Sequence, residues 1–241
     1  MKLNYHTCLS GTKCILVPYR PEHVPKYHEW MKDPYLLEMT ASEPLSYEEE
    51  VKMQQEWKDD EKKCTFIVLQ KEQWGGKDDT TEDDKILPSN FIQDHLVAMV
   101  GDVNLFLSEI SEDENDELKN DCKSSQDKEE ECNSTIPQNN IRIEAELDIM
   151  IAESNAQRKG LGNEAVCLMM IYGIQYLGIT RFFVKIQEDN IASRTLFETK
   201  LGFQQCAYAA CFKEVSFVGF GFICLLNTCI SNQTIFLWNI R

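Results

Sequence analysis

The chain has 241 residues, 43% of them hydrophobic, which is enough for a sizeable core in one large domain or two small ones. Its formal net charge of -16 excludes a nucleic-acid backbone as partner, because phosphate binding draws on clustered Lys and Arg. The ten cysteines form no Cys-x-x-Cys pair and have no His at metal spacing, so no metal site is expected.

Residues 1–10 are mixed in character and lack the apolar run of a leader, so reduced thiols in a cytoplasmic protein are expected. The first expected strand is 13–19, where Cys-Ile-Leu-Val is stopped by Pro18. Residues 21–32 read as a helix, with Val24, Tyr27, His28 and Met31 three or four apart. His28 fits a partly buried core position better than a catalytic one. A second helix, 46–60, opens on the capping-box residues Ser46-Tyr47-Glu48-Glu49. Residues 65–70 are β-branched and apolar, hence a strand, ended by Trp74-Gly75-Gly76, and 77–93 are polar and irregular. Residues 95–107 form one long strand or a pair, with Gly101 marking a bulge.

Between Glu109 and Glu131 eleven acids face three lysines, half of the net negative charge. Such a stretch cannot bury enough surface to offset chain entropy, so 108–140 is expected to be a disordered acidic insertion, with a docking segment for a basic partner as the alternative. Residues 141–151 first alternate and then turn wholly apolar, as a strand entering the core does. After a turn over 152–159, residues 160–177 are helical, with Leu161, Ala165, Leu168, Met169, Tyr172 and Tyr176 on one face. A strand at 181–186, a helix at 191–200 and a final strand or strand pair at 203–217 complete the series. The order predicts a three-layer α+β or α/β fold with a crossover helix in the middle of its sheet.

The chemistry concentrates where the strand gives way to the long helix. Gly160 and Gly162 let backbone approach a ligand without a Cβ in the way, and the first helical amides are donors at the positive end of the helix dipole. Amides from Arg158 to Asn163 can wrap a pyrophosphate, with Arg158 or Lys159 adding charge at its edge. Gly160-Leu161-Gly162-Asn163-Glu164-Ala165 also fits the dinucleotide fingerprint, with Glu188 after the next strand, so an NAD(P)-dependent oxidoreductase is the rival reading. Two features oppose it. The first glycine comes late after the strand, and too few residues follow for the further βαβ units such a sheet needs.

Gln157-Arg158-Lys159-Gly160-Leu161-Gly162 resembles the Gln/Arg-x-x-Gly-x-Gly/Ala signature of the GNAT acetyltransferases, and Asn190-Ile191-Ala192-Ser193 with Leu196-Phe197 and Leu201-Gly202-Phe203 resembles their later helix and its ending. More narrowly, Val17-Pro18-Tyr19, His28-Glu29-Trp30-Met31, Thr40-Ala41-Ser42-Glu43-Pro44-Leu45 and Gly101-Asp102-Val103-Asn104-Leu105-Phe106-Leu107 resemble the N-acetyltransferase 9 subfamily. The resemblance implies the GNAT acyl-CoA N-acyltransferase fold, a mixed, mostly antiparallel central sheet with flanking helices. It implies acetyl-CoA as co-substrate and a protein or peptide amine as acceptor, an N-terminal amine of tubulin by subfamily analogy.

The resemblance also implies site residues. Ile149, Met150 and Ile151 on a splayed strand would pair with the pantetheine arm, and Gln157, Arg158, Lys159, Gly160, Leu161, Gly162 and Asn163 would hold the pyrophosphate. Asn190 and Ser193 would contact the CoA arm and diphosphate, and Glu146 occupies the place of a general base. A carboxylate suits that task, since an ammonium must lose a proton before its nitrogen can attack. Alternation puts Glu144 and Asp148 on the same face, so both compete with Glu146. Phe197 stands where many relatives carry a Tyr that protonates the leaving thiolate, which keeps an acetyl-CoA-binding adaptor without catalysis as an alternative.

Residues 215–240 carry no charged side chain, but Asn227, Ser231, Asn232 and Gln233 cut the apolar run short of the roughly 20 residues a membrane span needs. A single N-acetyltransferase domain over 1–217 and an atypical apolar tail over 218–241 are expected, with no membrane span.

Overall fold

The computed structural model describes residues 2–74, 86–88, 90–110, 142–220 and 236–240. The acidic stretch from 111 and the tail residues 221–235 lie outside them. In chain order the elements are β1 (Thr7–Ser10), β2 (Cys14–Pro18), α1 (Val24–Trp30), α2 (Pro34–Met39), α3 (Tyr47–Asp59), β3 (Lys63–Gln70), β4 (Ile86–Leu87), α4 (Phe91–Asp94), β5 (Met99–Ile110), β6 (Arg142–Ile151), α5 (Leu161–Leu177), β7 (Ile179–Gln187), α6 (Ile191–Arg194), β8 (Gln204–Ala209), β9 (Glu214–Phe220) and β10 (Phe236–Ile240). One ten-stranded sheet runs β4-β10-β1-β2-β3-β5-β6-β7-β9-β8. Its ladders are antiparallel except β6–β7 and β10–β4, the mixed, mostly antiparallel sheet expected.

Local chemistry explains most boundaries. Ser46 Oγ accepts from Glu49 N–H at 3.3 Å while Glu49 Oε2 accepts from Ser46 N–H at 2.8 Å, so α3 begins on the capping box its sequence announces. α2 was not expected, although Asp33 caps it by accepting from Tyr35 N–H at 2.9 Å and Pro34 fills its first turn. β1 was also missed, because four residues carry too little pattern. β5 is one long strand, and its register against β3 shifts between Val68 and Leu69, opposite Gly101 and Met99, which is the expected bulge. It continues to Ile110, three residues into the stretch read as polar insertion. Residues 204–220 form a strand pair, and α6 runs on as a π-helical turn over Thr195–Lys200.

The two sheet faces carry separate cores. On one, α5 lies over Leu16, Phe66, Val68, Leu105, Leu147 and Phe182. On the other, α1–α3 cover Ile15, Val17, Ile67, Leu69, Met99 and Met150. α5 is buried almost all round as far as Gly173, so its apolar residues exceed the single face expected, and Tyr176 on that face is exposed.

Candidate active site

β6 and β7 start side by side and then part. Their parallel pairing runs from Ile143↔Ile179 to Glu146↔Phe183, beyond which, among the described residues, β6 keeps only β5 and β7 only β9. Leu147 to Ile151 therefore line an open edge beside the glycine turn, and a Cβ on Gly162 would meet the side chains of Ile151 (3.6 Å), Ile149 (3.9 Å) and Leu196 (3.9 Å).

The turn fits a pyrophosphate on several counts. Arg158 (φ 60°) and Gly160 (φ 86°) both have left-handed backbone, as in anion-binding nests. Gly160 caps α5 without a side chain, and the first intrahelical bond is Glu164 N–H to Gly160 O at 3.1 Å. The amides of Leu161, Gly162 and Asn163 thus have no intrahelical acceptor at the positive end of the helix. Asn163 Oδ1 is a buried acceptor with no partner among the described residues.

Two residues that sequence reasoning missed set this turn in place. Glu164, 3% exposed, accepts from the amides of Thr12 (3.0 Å), Lys13 (2.7 Å) and Cys14 (2.8 Å), fastening the β1–β2 turn to the first turn of α5. Lys13 is thereby carried over the glycines, where its Nζ donates to Lys159 O at 2.9 Å and lies 2.8 Å from where a Gly160 Cβ would stand. Only the fold brings residues some 150 positions apart together, so no local signal could have marked them.

The other expected residues divide. Gln157 Nε2 donates to Ile151 O at 2.8 Å, closing the end of β6. Asn190 Oδ1 caps α6 by accepting from Ser193 N–H at 3.1 Å, so these two form one unit. Lys159 Nζ lies 3.7 Å from the exposed Glu72 carboxylate. Phe197 is buried edge-on to Phe203 with ring centroids 5.2 Å apart and has no proton to give.

Glu144, Glu146 and Asp148 share the opposite face, toward α1–α3. Glu144 accepts from Arg181 at 2.7 Å and from Ser108 at 3.2 Å, and Glu146 accepts from Lys185 Nζ at 2.7 Å. Asp148 is partly exposed, and desolvation raises its carboxyl even though the Ile149 amide donates to it. Asn104 stands opposite it on β5, accepting from Thr65 Oγ1 and donating to Asp102 Oδ2, each at 2.7 Å. Burial, with the Asp148 charge adding to it, pushes Asp102 up to about 7. Burial also brings Lys63 down to about 7, and its ammonium sits over the rings of Trp57 (2.8 Å) and Phe106 (4.3 Å). Among the described residues no His, Cys, Asp or Glu group could hold a metal, and no helix is long and apolar enough to cross a membrane.

A sheet whose parallel strands part beside a glycine turn is the architecture of the GNAT acetyltransferases, and the family described as Acetyltransferase (GNAT) domain matches residues 122–204. Spermidine N-acetyltransferase from Vibrio cholerae, solved with CoA and spermine, superposes with a TM-score of 0.56 at 13% identity over 88% of this chain and 98% of that one, a likeness of fold. An N-acetyltransferase 9-like protein of Nematostella vectensis is 40% identical over 90% of this chain and 87% of its own. Alpha/beta-tubulin-N-acetyltransferase 9 of Homo sapiens is 40% identical over 90% of this chain and 84% of its own. The chain belongs to the N-acetyltransferase 9-like family and is an N-acetyltransferase. That membership removes the oxidoreductase reading of the glycine turn.

Proposed function

We propose that the chain transfers the acetyl group of acetyl-CoA to the N-terminal amine of a protein or peptide in the cytoplasm, and that its acetyltransferase domain comprises the expected residues 1–217 together with the end of β9 and with β10, which joins the same sheet beside β1. Tubulin is the acceptor that the names of its human and mouse relatives suggest. The observation that carries this reading is the open edge of β6 beyond Glu146↔Phe183, next to a helix N-terminus with spare amides and basic neighbours. Ile149, Met150 and Ile151 would hold the pantetheine arm along that edge. Residues 157–163, with Lys13 added by the fold, would hold the pyrophosphate, and Asn190 and Ser193 would border the arm.

Bound acetyl-CoA supplies an activated acyl carbon. The chain's own residues hold it, exclude water from it and take a proton from the acceptor. That proton falls to the acidic face of β6, where Glu146 is the residue expected from the sequence. The buried Phe197 cannot reprotonate the thiolate, so the proton that the amine nitrogen sheds after attack serves instead.

At a hundredfold excess over its Kd, acetyl-CoA should add roughly 2.7 kcal/mol of stability and so raise the thermal midpoint, and NAD(P)H should leave the midpoint unchanged. Gly162→Glu should abolish the acetyl-CoA effect, with circular dichroism to check that the variant folds; a Cβ at that position makes only ordinary contacts at 3.6–3.9 Å. Stabilisation by the nicotinamide cofactor alone would sink the assignment.

A further inference from the structure

The sheet face away from the glycine turn holds a buried polar row that the cofactor reading does not use. In register across three strands stand Thr65, Asn104 and Asp148, and one step along stand Ile67, Asp102 and Met150, so Asp102 and Asp148 are diagonal neighbours. Asp102 is 2% exposed, and its Oδ1 has no hydrogen-bond partner among the described residues. An unmatched carboxylate oxygen in such surroundings favours a proton or a cation beside it. Tyr27 of α1 lies near the same carboxyl.

Position along β6 distinguishes Asp148 from its neighbours. Glu144 and Glu146 lie where β7 is still paired, and each is held by a cation of β7. Asp148 is the first residue on this face beyond the last pairing, at the point where the strands part, and it is partly exposed. Its flanking residues Leu147 and Ile149 turn instead toward the α5 core.

We propose that Asp148 receives the acceptor's primary ammonium at the parting of β6 and β7 and takes its proton, with Asp102 behind it as a positioning residue that supplies a second carboxylate oxygen. This rests on the N-acetyltransferase reading and names the acceptor side of that same site. One proton passes from the ammonium to the Asp148 carboxylate, and the freed nitrogen pair forms the N–C bond to the acetyl carbon. The C–S bond breaks with its electron pair on sulfur, the second amine proton goes to that sulfur to give the thiol, and Asp148 returns its proton to water. The groups facing Asp148 are Asp102 and Asn104 from β5, Lys63 from β3, Tyr27 from α1, and Glu146 on its own strand with Lys185 of β7. Because the carboxyl is raised, rate should climb with pH through a limb above the ordinary carboxylate range.

The test uses the full chain, saturating acetyl-CoA and an equimolar library of decapeptides with free amino termini and no lysine, with acetyl incorporation measured from pH 5 to 9. Asp148→Asn should lose about 100-fold in kcat/KM and its acidic limb, while keeping the thermal shift produced by acetyl-CoA. Asp148→Glu should restore the limb. Glu146→Gln should retain it, whatever its rate. Asp102→Asn should move it in pH, which a purely structural role would not do. A limb that persists in Asp148→Asn, or that disappears in Glu146→Gln instead, overturns the proposal while the acetyltransferase reading stands. If Asp148→Asn does not fold, the limb in Asp148→Glu decides: absence there counts against Asp148. A wild-type chain that acetylates none of the peptides overturns both.

Discussion

Burial raises the Asp102 carboxyl from the ordinary 3.8 to about 7, with the Asp148 charge adding to it. The folded chain therefore holds a proton that the unfolded chain releases between those values, and stability falls as pH rises from about 4 to about 7, then levels off. Asp102→Asn should remove this penalty: little change in melting at pH 4, and a gain of about 4 kcal/mol at pH 8. Melting curves of both proteins across pH check it, and a gain equal at both ends would mean that packing rather than titration is responsible. The carboxyl was in plain view within Gly101-Asp102-Val103-Asn104. Its role was not, because a lone Asp in a strand shows neither its burial nor the Asp148 that faces it from 46 positions on.

At the scale of elements, the glycines separate two uses of a missing side chain. A Cβ on Gly101 would stand 1.9 Å from Met150 O, so any other residue must push β5 away from β6 where the open edge ends. Gly101→Ala should cost about 3 kcal/mol in urea denaturation, whereas Gly162→Ala should change stability by less than about 1 kcal/mol. Equal losses from the two would show that the close approach at Gly101 is relieved elsewhere. Element types were legible wherever a cap or a period announced them: the box at Ser46, the bulge at Gly101, and the glycine that starts α5. Asp33-Pro34 was an equally good start signal for α2, but six residues leave too little periodicity for recognition. The acidic insertion and the middle of the tail lie beyond the described residues.

Across the whole molecule, the last strand returns to the first. β10 pairs antiparallel with β1 along Thr7↔Asn239 to Ser10↔Phe236 and covers an edge whose Cys8 and Leu9 are buried. The tail read as atypical thus contributes a strand inside the sheet, between β1 and β4. Deleting residues 236–241 should lower the melting temperature by about 5 °C and leave β1 as an unpaired edge that associates with other copies. Calorimetry and light scattering measure the two effects, and an unchanged, monodisperse protein would show that β10 adds nothing to the fold.

The sequence by itself determined the strand–turn–helix on which the proposed pyrophosphate site rests, the layer class of the fold and the three acids on one strand face. Each of these is written in residues within a few positions of one another, where backbone freedom, capping and alternation act. Only the tertiary structure decided which acid is available. Glu144 and Glu146 meet cations of β7, while Asp148 passes beyond the last β6–β7 pairing and joins Asp102 and Asn104 of β5. The same holds for Glu164 and Lys13, which reach the glycine turn across some 150 residues. Burial and charge neighbours depend on which strands lie side by side, and strand order is a property of the assembled sheet.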